Sequence, residues 1–259
     1  MKIAILQTDI VWADVQSNLQ RADSLIDSRV EPDADILVLP EMFSTGFATQ
    51  PEGIAEEEGG ETLRWMRRTA SRRQCAVAGS VVTHSRGSFF NRFFFVEPDG
   101  TTSTYDKRHL FTFGGEDRCI KPGNKRTVVC FRGVRIMLQV CYDLRFPVFS
   151  RNCGDYDLAL YVANWPEARM DVWQTLLRAR AIENQCYVAG VNRVGADDSG
   201  CYSGGSMIVD PYGRIVAQCK DREEDVATAV LRLEAMKSFR QKFPVLDDAD
   251  FFKVLETRM

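Results

Sequence analysis

The chain has 259 residues, of which 45% are hydrophobic and 27% are charged. This composition is typical of a globular protein, because it is too apolar for a disordered chain and too often interrupted by charge for a membrane protein. The 33 basic and 36 acidic residues leave a net charge of −3, which argues against charge-driven binding to nucleic acid or to anionic lipid. Since α/β folds often use about 250 residues as one unit, we expect a single domain over residues 1–259 that acts on a small molecule.

The cysteine and histidine counts limit which catalytic and metal-binding residues the chain can use. Eight cysteines are dispersed along the chain without C-x-x-C pairs, which predicts reduced thiols. The apolar stretch at the N-terminus is too short for a signal peptide or a membrane anchor, so we expect a cytoplasmic protein. The histidines are His84 and His109 alone, which argues against a multi-histidine zinc site and directs attention to carboxylates, lysines and cysteines.

The first half of the chain alternates apolar runs with helical patterns. Its predicted elements are, in chain order, strands at residues 3–6 and 36–39 with a helix between them, a helix at 61–73, strands at 75–82, 89–96 and 101–105, and a long ordered loop at 108–124. A loop of that length with little periodicity is often functional.

The second half contains further hairpins and one long helix. Its predicted elements are strands at residues 127–131, 134–140 and 157–162, a helix at 169–184, strands at 187–191, 207–209, 214–218 and 226–231, and a helix at 233–242. Hairpins mixed with strand–helix crossovers predict an α/β fold with mixed sheets covered by helices on their outer faces. No linker, charge block or repeat divides the chain, which supports one domain.

Three polar residues follow predicted strands and are candidates for catalysis. Cys141 ends an apolar strand, where a nucleophile could use the next backbone N–H, that of Tyr142, to stabilise an oxyanion. A thiol needs a base at neutral pH, and Glu41 follows the strand that Pro40 closes. Lys107 follows another strand. Taken singly, each has a plainer interpretation: a small buried hydrophobe, a loop acid and a surface lysine.

Three segments containing these residues resemble the signatures of one family. They read LPEMF at 39–43, YDKRHLF at 105–111 and VCYDLRFP at 140–147, and they resemble the nitrilase, or carbon–nitrogen hydrolase, superfamily in the right order. The similarity extends to Asn91, to RARAIENQ at 178–185 and to DPYG at 210–213. Within the superfamily, CYDLRFPV together with ANWP at 163–166 resembles the bacterial omega-amidase branch.

The resemblance implies a four-layer α-β-β-α sandwich of two mixed sheets covered by helices. It implies that Glu41 acts as acid and base, that Cys141 is the nucleophile, and that Lys107 and the Tyr142 N–H stabilise the oxyanion. It also implies a second glutamate in the loop after the lysine. Glu116 fits that position best, with adjacent Asp117 as the alternative.

The remaining candidates surround the expected pocket. Phe43 and Trp165 follow strand ends and are predicted to line the pocket, with core packing as the alternative. Arg145 could pair with a substrate carboxylate, although we favour a structural salt bridge. His109 is predicted to be a structural hydrogen-bonding residue. We expect a structural ion-pair cluster on the long helix from Arg178, Arg180 and Glu183.

The function that the resemblance implies is a thiol amidohydrolase. It would release ammonia from a small omega-amide of a keto acid, of the 2-oxoglutaramate or 2-oxosuccinamate type, with no metal or organic cofactor. The alternatives are another small amide or nitrile (deaminated glutathione, carbamoylputrescine), acyl transfer to an amine, or an inactive or redox-thiol protein. We expect no nucleic-acid or membrane partner, and by resemblance a homo-oligomer built on dimers.

Overall fold

The computed structural model describes residues 1–250 and 252–254 of the chain. Within these residues, no helix is long and apolar enough to cross a membrane. The strands are β1 Lys2–Gln7, β2 Ile36–Val38, β3 Glu56–Glu57, β4 Ala76–Ser85, β5 Ser88–Val96, β6 Thr102–Asp106, β7 Val128–Phe131, β8 Val134–Val140, β9 Leu158–Ala163, β10 Tyr187–Asn192, β11 Val194–Asp197, β12 Gly200–Ser203, β13 Met207–Val209, β14 Ile215–Gln218 and β15 Asp225–Val230. The α-helices are α1 Val15–Arg29, α2 Glu61–Arg73, α3 Pro147–Ser150, α4 Met170–Glu183 and α5 Leu233–Lys242.

Two mixed sheets share the same arrangement. The first has the order β15-β1-β2-β4-β5-β6, with β3 paired to β4, and the second has the order β14-β13-β10-β9-β8-β7. In the first sheet β1, β2 and β4 are parallel, and in the second sheet β8, β9 and β10 are parallel. The remaining pairs along each order are antiparallel. Loops that follow the parallel strands of each sheet therefore leave from one edge of that sheet.

Alternating side chains divide each strand between two packed layers. In β1, Ile3 and Ile5 pack between the two sheets, whereas Ala4 and Leu6 pack on the opposite face with residues of α1 and α2. In β8 of the second sheet, Leu138 packs in the interior against residues of the first sheet. Met137 packs on the outer face with residues of α4. This period-two division produces a four-layer α-β-β-α sandwich, which confirms the expected fold.

The outer helices form because each carries one apolar face. Helix α1 begins at Asp14, whose side chain accepts a hydrogen bond from the Ser17 N–H at 3.0 Å, and it buries Leu19, Ala22, Leu25 and Ile26. Helix α4 buries Trp173, Leu177 and Ala181 against the second sheet.

The sequence interpretation missed three short strands, β3, β11 and β12. The hairpin β11–β12 forms a separate two-stranded sheet, and its strands are too polar and too short to show a clear alternation. Strand β3 has two residues, both glutamates. Strand β4 also runs past the predicted end at Val82 to Ser85, because Arg86 and Gly87 adopt positive φ angles of 51° and 72° and form a tight hairpin turn to β5.

The contact between α4 and β10 provides a test of the packing. A side chain at Gly190 would clash mainly with Leu177 and less closely with Trp173, so Gly190→Ala should lower the free energy of unfolding by about 1–3 kcal/mol. Leu177→Ala alone should cost about 2–5 kcal/mol, because it leaves a cavity. The double variant should be at least about 1 kcal/mol more stable than the sum of the two changes predicts, because the new methyl group fills the space that Leu177 vacates.

Urea unfolding of the four proteins measures this coupling. Leu63, a buried residue of α2 on the other sheet, provides the control, since Leu63→Ala and Gly190→Ala should have additive effects. Additive effects at Gly190 and Leu177 would contradict the packing described here.

Candidate active site

The polar residues that follow the strands meet at one end of the sandwich. Glu41 follows β2 and Lys107 follows β6, both in the first sheet, whereas Cys141 follows β8 and Asn164 follows β9 in the second. The side chains of Glu41 and Lys107 are completely buried. The site is therefore divided between the two sheets.

The Glu41 carboxylate is held by donors from several elements. Its Oε1 accepts hydrogen bonds from Lys107 Nζ at 2.9 Å and from Asn91 Nδ2 at 2.7 Å. Its Oε2 accepts the Asn164 backbone N–H at 2.8 Å, and the Asn164 amide donates to the Glu41 carbonyl at 2.6 Å. These contacts fix the carboxylate in one orientation. Sequence reasoning noted Asn91 and Asn164 only as part of the family resemblance and assigned neither of them to the site. A polar residue among the phenylalanines of β5 was a signal for Asn91.

The second carboxylate beside Lys107 belongs to Glu116. Lys107 Nζ donates to its two oxygens at 2.9 and 3.1 Å, and the Phe111 backbone N–H donates to Oε2 at 2.7 Å. Asn91 Nδ2 also lies 3.1 Å from Glu116 Oε1. Asp117 is exposed, so the structure places Glu116 and not Asp117 in the cluster.

Burial and the neighbouring charges both shift the pKa values of Lys107 and Glu116. Burial lowers the pKa of Lys107, but the charges of Glu116 and Glu41 outweigh it, so the pKa is raised and the ammonium form is retained. Burial raises the pKa of Glu116, Glu41 adds to this rise, and Lys107 opposes it. Two carboxylates sharing one ammonium leave a net negative charge next to Cys141 when both are ionised.

Cys141 lies at a sharp turn between β8 and the 3-10 helix Cys141–Arg145. Its φ is +45°, a conformation that side chains rarely adopt, and it places the thiol at the end of the strand in the manner of a nucleophile elbow. Burial raises the pKa of the Cys141 thiol, the charge of Glu41 raises it further, and Lys107 opposes both. The resting sulfur is thus a thiol, which requires a base before it can attack.

A cavity of about 630 Å³ opens onto Cys141. Tyr142, Arg145 and Trp165, three of the residues expected at the site, line it. The other lining residues are mostly apolar or aromatic; they are Phe47, Thr49, Phe111, Phe113, Gly114, Asn164, Pro166, Glu167, Ala168, Arg169, Ser199, Gly200, Cys201 and Tyr202. The cavity therefore suits a small ligand with a polar group at each end.

The prediction that Phe43 lines the pocket is wrong. Its ring packs 5.8 Å from that of Trp65, in the layer between the first sheet and its helices. The reason is the left-handed backbone at Met42, with φ +43°, which reverses the chain directly after Glu41. Phe47 lines the cavity instead, with its ring centroid 5.4 Å from Lys107 Nζ.

Arg145 does not form the expected salt bridge. Within the described residues, no carboxylate lies at ion-pair distance, and its guanidinium stacks 5.2 Å from the Trp165 ring. Arg169, which sequence reasoning did not consider, stacks in the same way 5.3 Å from Phe111. Glu167, the acidic residue of this wall, pairs with Arg222. The wall therefore presents two cations to the cavity.

The other predicted residues lie outside the cavity. His109 donates its backbone N–H to Asp143 at 3.0 Å, and its ring Nδ1 lies 2.7 Å from the same carboxylate, as expected for a structural histidine. On α4, Arg180 pairs with Glu183 at 2.9 Å, whereas Arg178 donates to the Gly213 carbonyl at 3.0 Å and does not join the ion pair. Over the part of the chain that the structure describes, no group of three His, Cys, Asp or Glu side chains could hold a metal ion.

Fold and site together define a class of protein. A four-layer sandwich with a carboxylate, an ammonium and a cysteine at the end of its sheets is the arrangement of a carbon–nitrogen hydrolase. The family model described as carbon–nitrogen hydrolase matches residues 2–241, and the chain belongs to that family. It is a hydrolase that acts on carbon–nitrogen bonds.

Individual proteins narrow the class further. The chain is 50% identical over 256 residues to omega-amidase YafV of Yersinia enterocolitica, covering 98% of this chain and 99% of that protein. It is 34% identical over 251 residues to 2-oxoglutaramate amidase of Bacillus subtilis (strain 168), covering 95% and 96%. The crystal structure of XC1258 from Xanthomonas campestris, a CN-hydrolase superfamily protein with an arsenic adduct in the active site, matches with a TM-score of 0.95 at 41% identity, covering 98% of each chain.

The electrostatics of the cluster predict how the Cys141 thiol titrates. Because the Glu41 charge raises the pKa of the thiol, Glu41→Gln should lower the pH at which the thiolate forms, while Lys107→Met should raise it. The thiolate is measured by ultraviolet absorbance as the difference between each protein and its counterpart carrying Cys141→Ala as well. A thiolate that forms at the same or a higher pH in Glu41→Gln would contradict the assignment.

Proposed function

We propose that the protein is an omega-amidase that hydrolyses the terminal amide of a small keto acid, of the 2-oxoglutaramate or 2-oxosuccinamate type, and releases ammonia. The observation that carries the proposal is the meeting of Glu41, Lys107 and Cys141 at the end of a cavity whose wall carries the guanidinium groups of Arg145 and Arg169. Neither guanidinium forms an ion pair with a carboxylate of the described residues. The similarity to omega-amidase YafV and to 2-oxoglutaramate amidase supports the same substrate class.

The first step forms a bond between sulfur and the amide carbon. Glu41 takes the thiol proton as the Cys141 sulfur attacks, and the carbonyl electron pair moves onto oxygen. Since burial raises the pKa of the thiol, little thiolate accumulates beforehand, and proton transfer accompanies attack. The Lys107 ammonium and the Tyr142 backbone N–H stabilise the resulting oxyanion.

The second step breaks the carbon–nitrogen bond. Glu41 returns the proton to the amide nitrogen, the oxyanion re-forms the carbonyl group, and ammonia leaves a thioester on Cys141. Glu41 then takes a proton from a water molecule that attacks the thioester, the carbon–sulfur bond breaks, and the sulfur regains a proton from Glu41. Glu116 keeps Lys107 charged and in place throughout, through its two contacts with Nζ.

The far end of the substrate carries a carboxylate next to the keto group. Arg145 and Arg169 line the cavity with their guanidinium groups stacked on Trp165 and Phe111. A cation–π contact holds each guanidinium over its ring, and a guanidinium can bind a carboxylate in a bidentate manner through its N–H groups. Trp165 thus serves as the platform for the cation and as part of the apolar wall.

We further propose a single domain over residues 1–259, a cytoplasmic location and a homo-oligomer built on dimers. The pairing of β1 with β15 joins the two ends of the matched region in one sheet, which supports one domain. All eight cysteines are free, which suits a reducing compartment. Exposed apolar side chains at Ile182, Tyr212 and Ile215 form a surface that a second copy could cover.

The nucleophile is tested by comparing two thiols of the same cavity. Cys141→Ala should lower kcat for ammonia release from 2-oxoglutaramate by more than about 10⁴-fold, because no thioester can form. Cys201→Ala is the matched control, since Cys201 also lines the cavity, and it should keep wild-type activity within about twofold. A Cys141→Ala variant that releases ammonia at the wild-type rate would refute the mechanism.

The carboxylate contact is tested with a charged and a neutral amide. Arg145→Gln should lower kcat/KM for 2-oxoglutaramate by about 10–100-fold, the loss expected for a hydrogen bond to a charged group, and should change kcat/KM for butyramide by less than about threefold. Arg64→Gln removes the same charge on the exposed side of α2, away from the cavity, and it should affect neither substrate. Equal losses on both substrates would show that Arg145 serves the structure and not the carboxylate.

A further inference from the structure

Asp143 is a buried carboxylate that the proposed chemistry does not use. It lies two residues after Cys141, is completely buried and does not line the cavity. Its Oδ1 accepts the backbone N–H of His109 at 3.0 Å and faces the ring Nδ1 at 2.7 Å. Its Oδ2 accepts the Tyr105 hydroxyl at 2.8 Å and the Val140 backbone N–H at 3.0 Å.

These four contacts join the two halves of the site. Tyr105 and His109 stand on either side of Lys107 in the segment that leaves the first sheet, whereas Val140 ends β8 in the second sheet, directly before Cys141. The Tyr105 hydroxyl also accepts the Arg108 backbone N–H at 3.1 Å, so the whole Lys107 turn is attached to this carboxylate.

The backbone contacts of Lys107 do not reach the turn that carries Cys141. Its backbone N–H donates to the Asn91 carbonyl and its carbonyl accepts the Gly123 N–H, each at 2.9 Å, and Asn91 belongs to β5 of the first sheet. The Lys107 ammonium does reach the second sheet through Glu41, but that connection ends at the Asn164 N–H after β9. Asp143, by contrast, belongs to the Cys141 turn itself.

A buried carboxylate is costly unless donors surround it, and packing alone would be served better by an apolar residue. Here each oxygen of Asp143 has two hydrogen-bond partners. The stacking of the His109 ring on Phe146, with centroids 4.0 Å apart and planes 6° apart, fixes the ring that supplies one of them.

We propose that Asp143 is a positioning residue that sets the distance between the Lys107 ammonium and the Cys141 turn, and that it acts through the Tyr105 hydroxyl and His109. The two donors of the oxyanion site, Lys107 Nζ and the Tyr142 N–H, come from different sheets, and Asp143 holds them in register. This inference rests on the proposed roles of Lys107 and Cys141. Pre-organised donors stabilise the oxyanion more than the bound amide, so the effect falls on kcat.

Tyr105→Phe tests the inference because it removes the hydroxyl, with its contacts to Asp143 and to the Arg108 N–H, and keeps the ring. We expect kcat for 2-oxoglutaramate to fall by about 10–100-fold while KM changes by less than about threefold. Tyr156→Phe is the matched control, since Tyr156 is equally buried and its hydroxyl donates to the Ser150 carbonyl at 2.6 Å, away from the cavity. It should reduce thermal stability to a similar extent and leave kcat unchanged.

A second measurement does not depend on the substrate. Lys107 favours the Cys141 thiolate, so a Lys107 that moves away should slow the alkylation of Cys141 by iodoacetamide at fixed pH by about 3–10-fold, followed on the Cys141 peptide by mass spectrometry. Slowed alkylation in Tyr105→Phe, with a wild type that does not hydrolyse 2-oxoglutaramate, would reject the proposed substrate and support the role of Asp143. Wild-type kcat and wild-type alkylation in Tyr105→Phe would overturn that role.

Discussion

The Lys107 ammonium, buried between the carboxylates of Glu41 and Glu116, is the interaction on which the rest of the site depends. Removing one partner from a buried ion pair typically costs about 3–5 kcal/mol, because the remaining charge loses its compensation. Asn91, Asn164 and the Phe111 N–H supply the additional hydrogen bonds that make such burial tolerable. The cluster is therefore a constraint on the fold as well as a set of reactive groups.

The sandwich is what brings these groups together. Glu41 and Lys107 belong to the first sheet and Cys141 to the second, so the reactive geometry is a relation between two sheets and not a property of either. Several polar connections cross the interface at this end, among them Glu41 to Asn164, Asp143 to the Lys107 turn, and the Val194 N–H to the Thr8 carbonyl. The core between the sheets is made of apolar side chains, which resist separation but specify alignment weakly.

The sequence was most informative where function follows local pattern. Cys141 comes directly after an apolar strand, Glu41 follows an apolar strand that Pro40 closes, and Lys107 follows a hairpin strand, so their places in the fold followed from the strands that precede them. Asn164 and Asp143 lie in the segments ANWP and VCYDLRFP that carry the family resemblance. Their contacts with Glu41 and with the Lys107 turn could not be recognised from the sequence, because those partners lie far away in the chain. Phe43 was misplaced for a related reason: the reversal at Met42 depends on one positive φ angle, which periodicity does not show.

The burial of Cys141 raises the pKa of its thiol and also protects the sulfur. An exposed cysteine of low pKa would be a thiolate at rest and open to oxidation, whereas the raised pKa of Cys141 keeps the sulfur protonated until a carbonyl group is beside it. A base with a fixed position is then more useful than one that is intrinsically strong. In the proposed mechanism Glu41, held by Lys107, Asn91 and the Asn164 N–H, is such a base. A carboxylate in this role also explains how a chain with two histidines can activate a thiol.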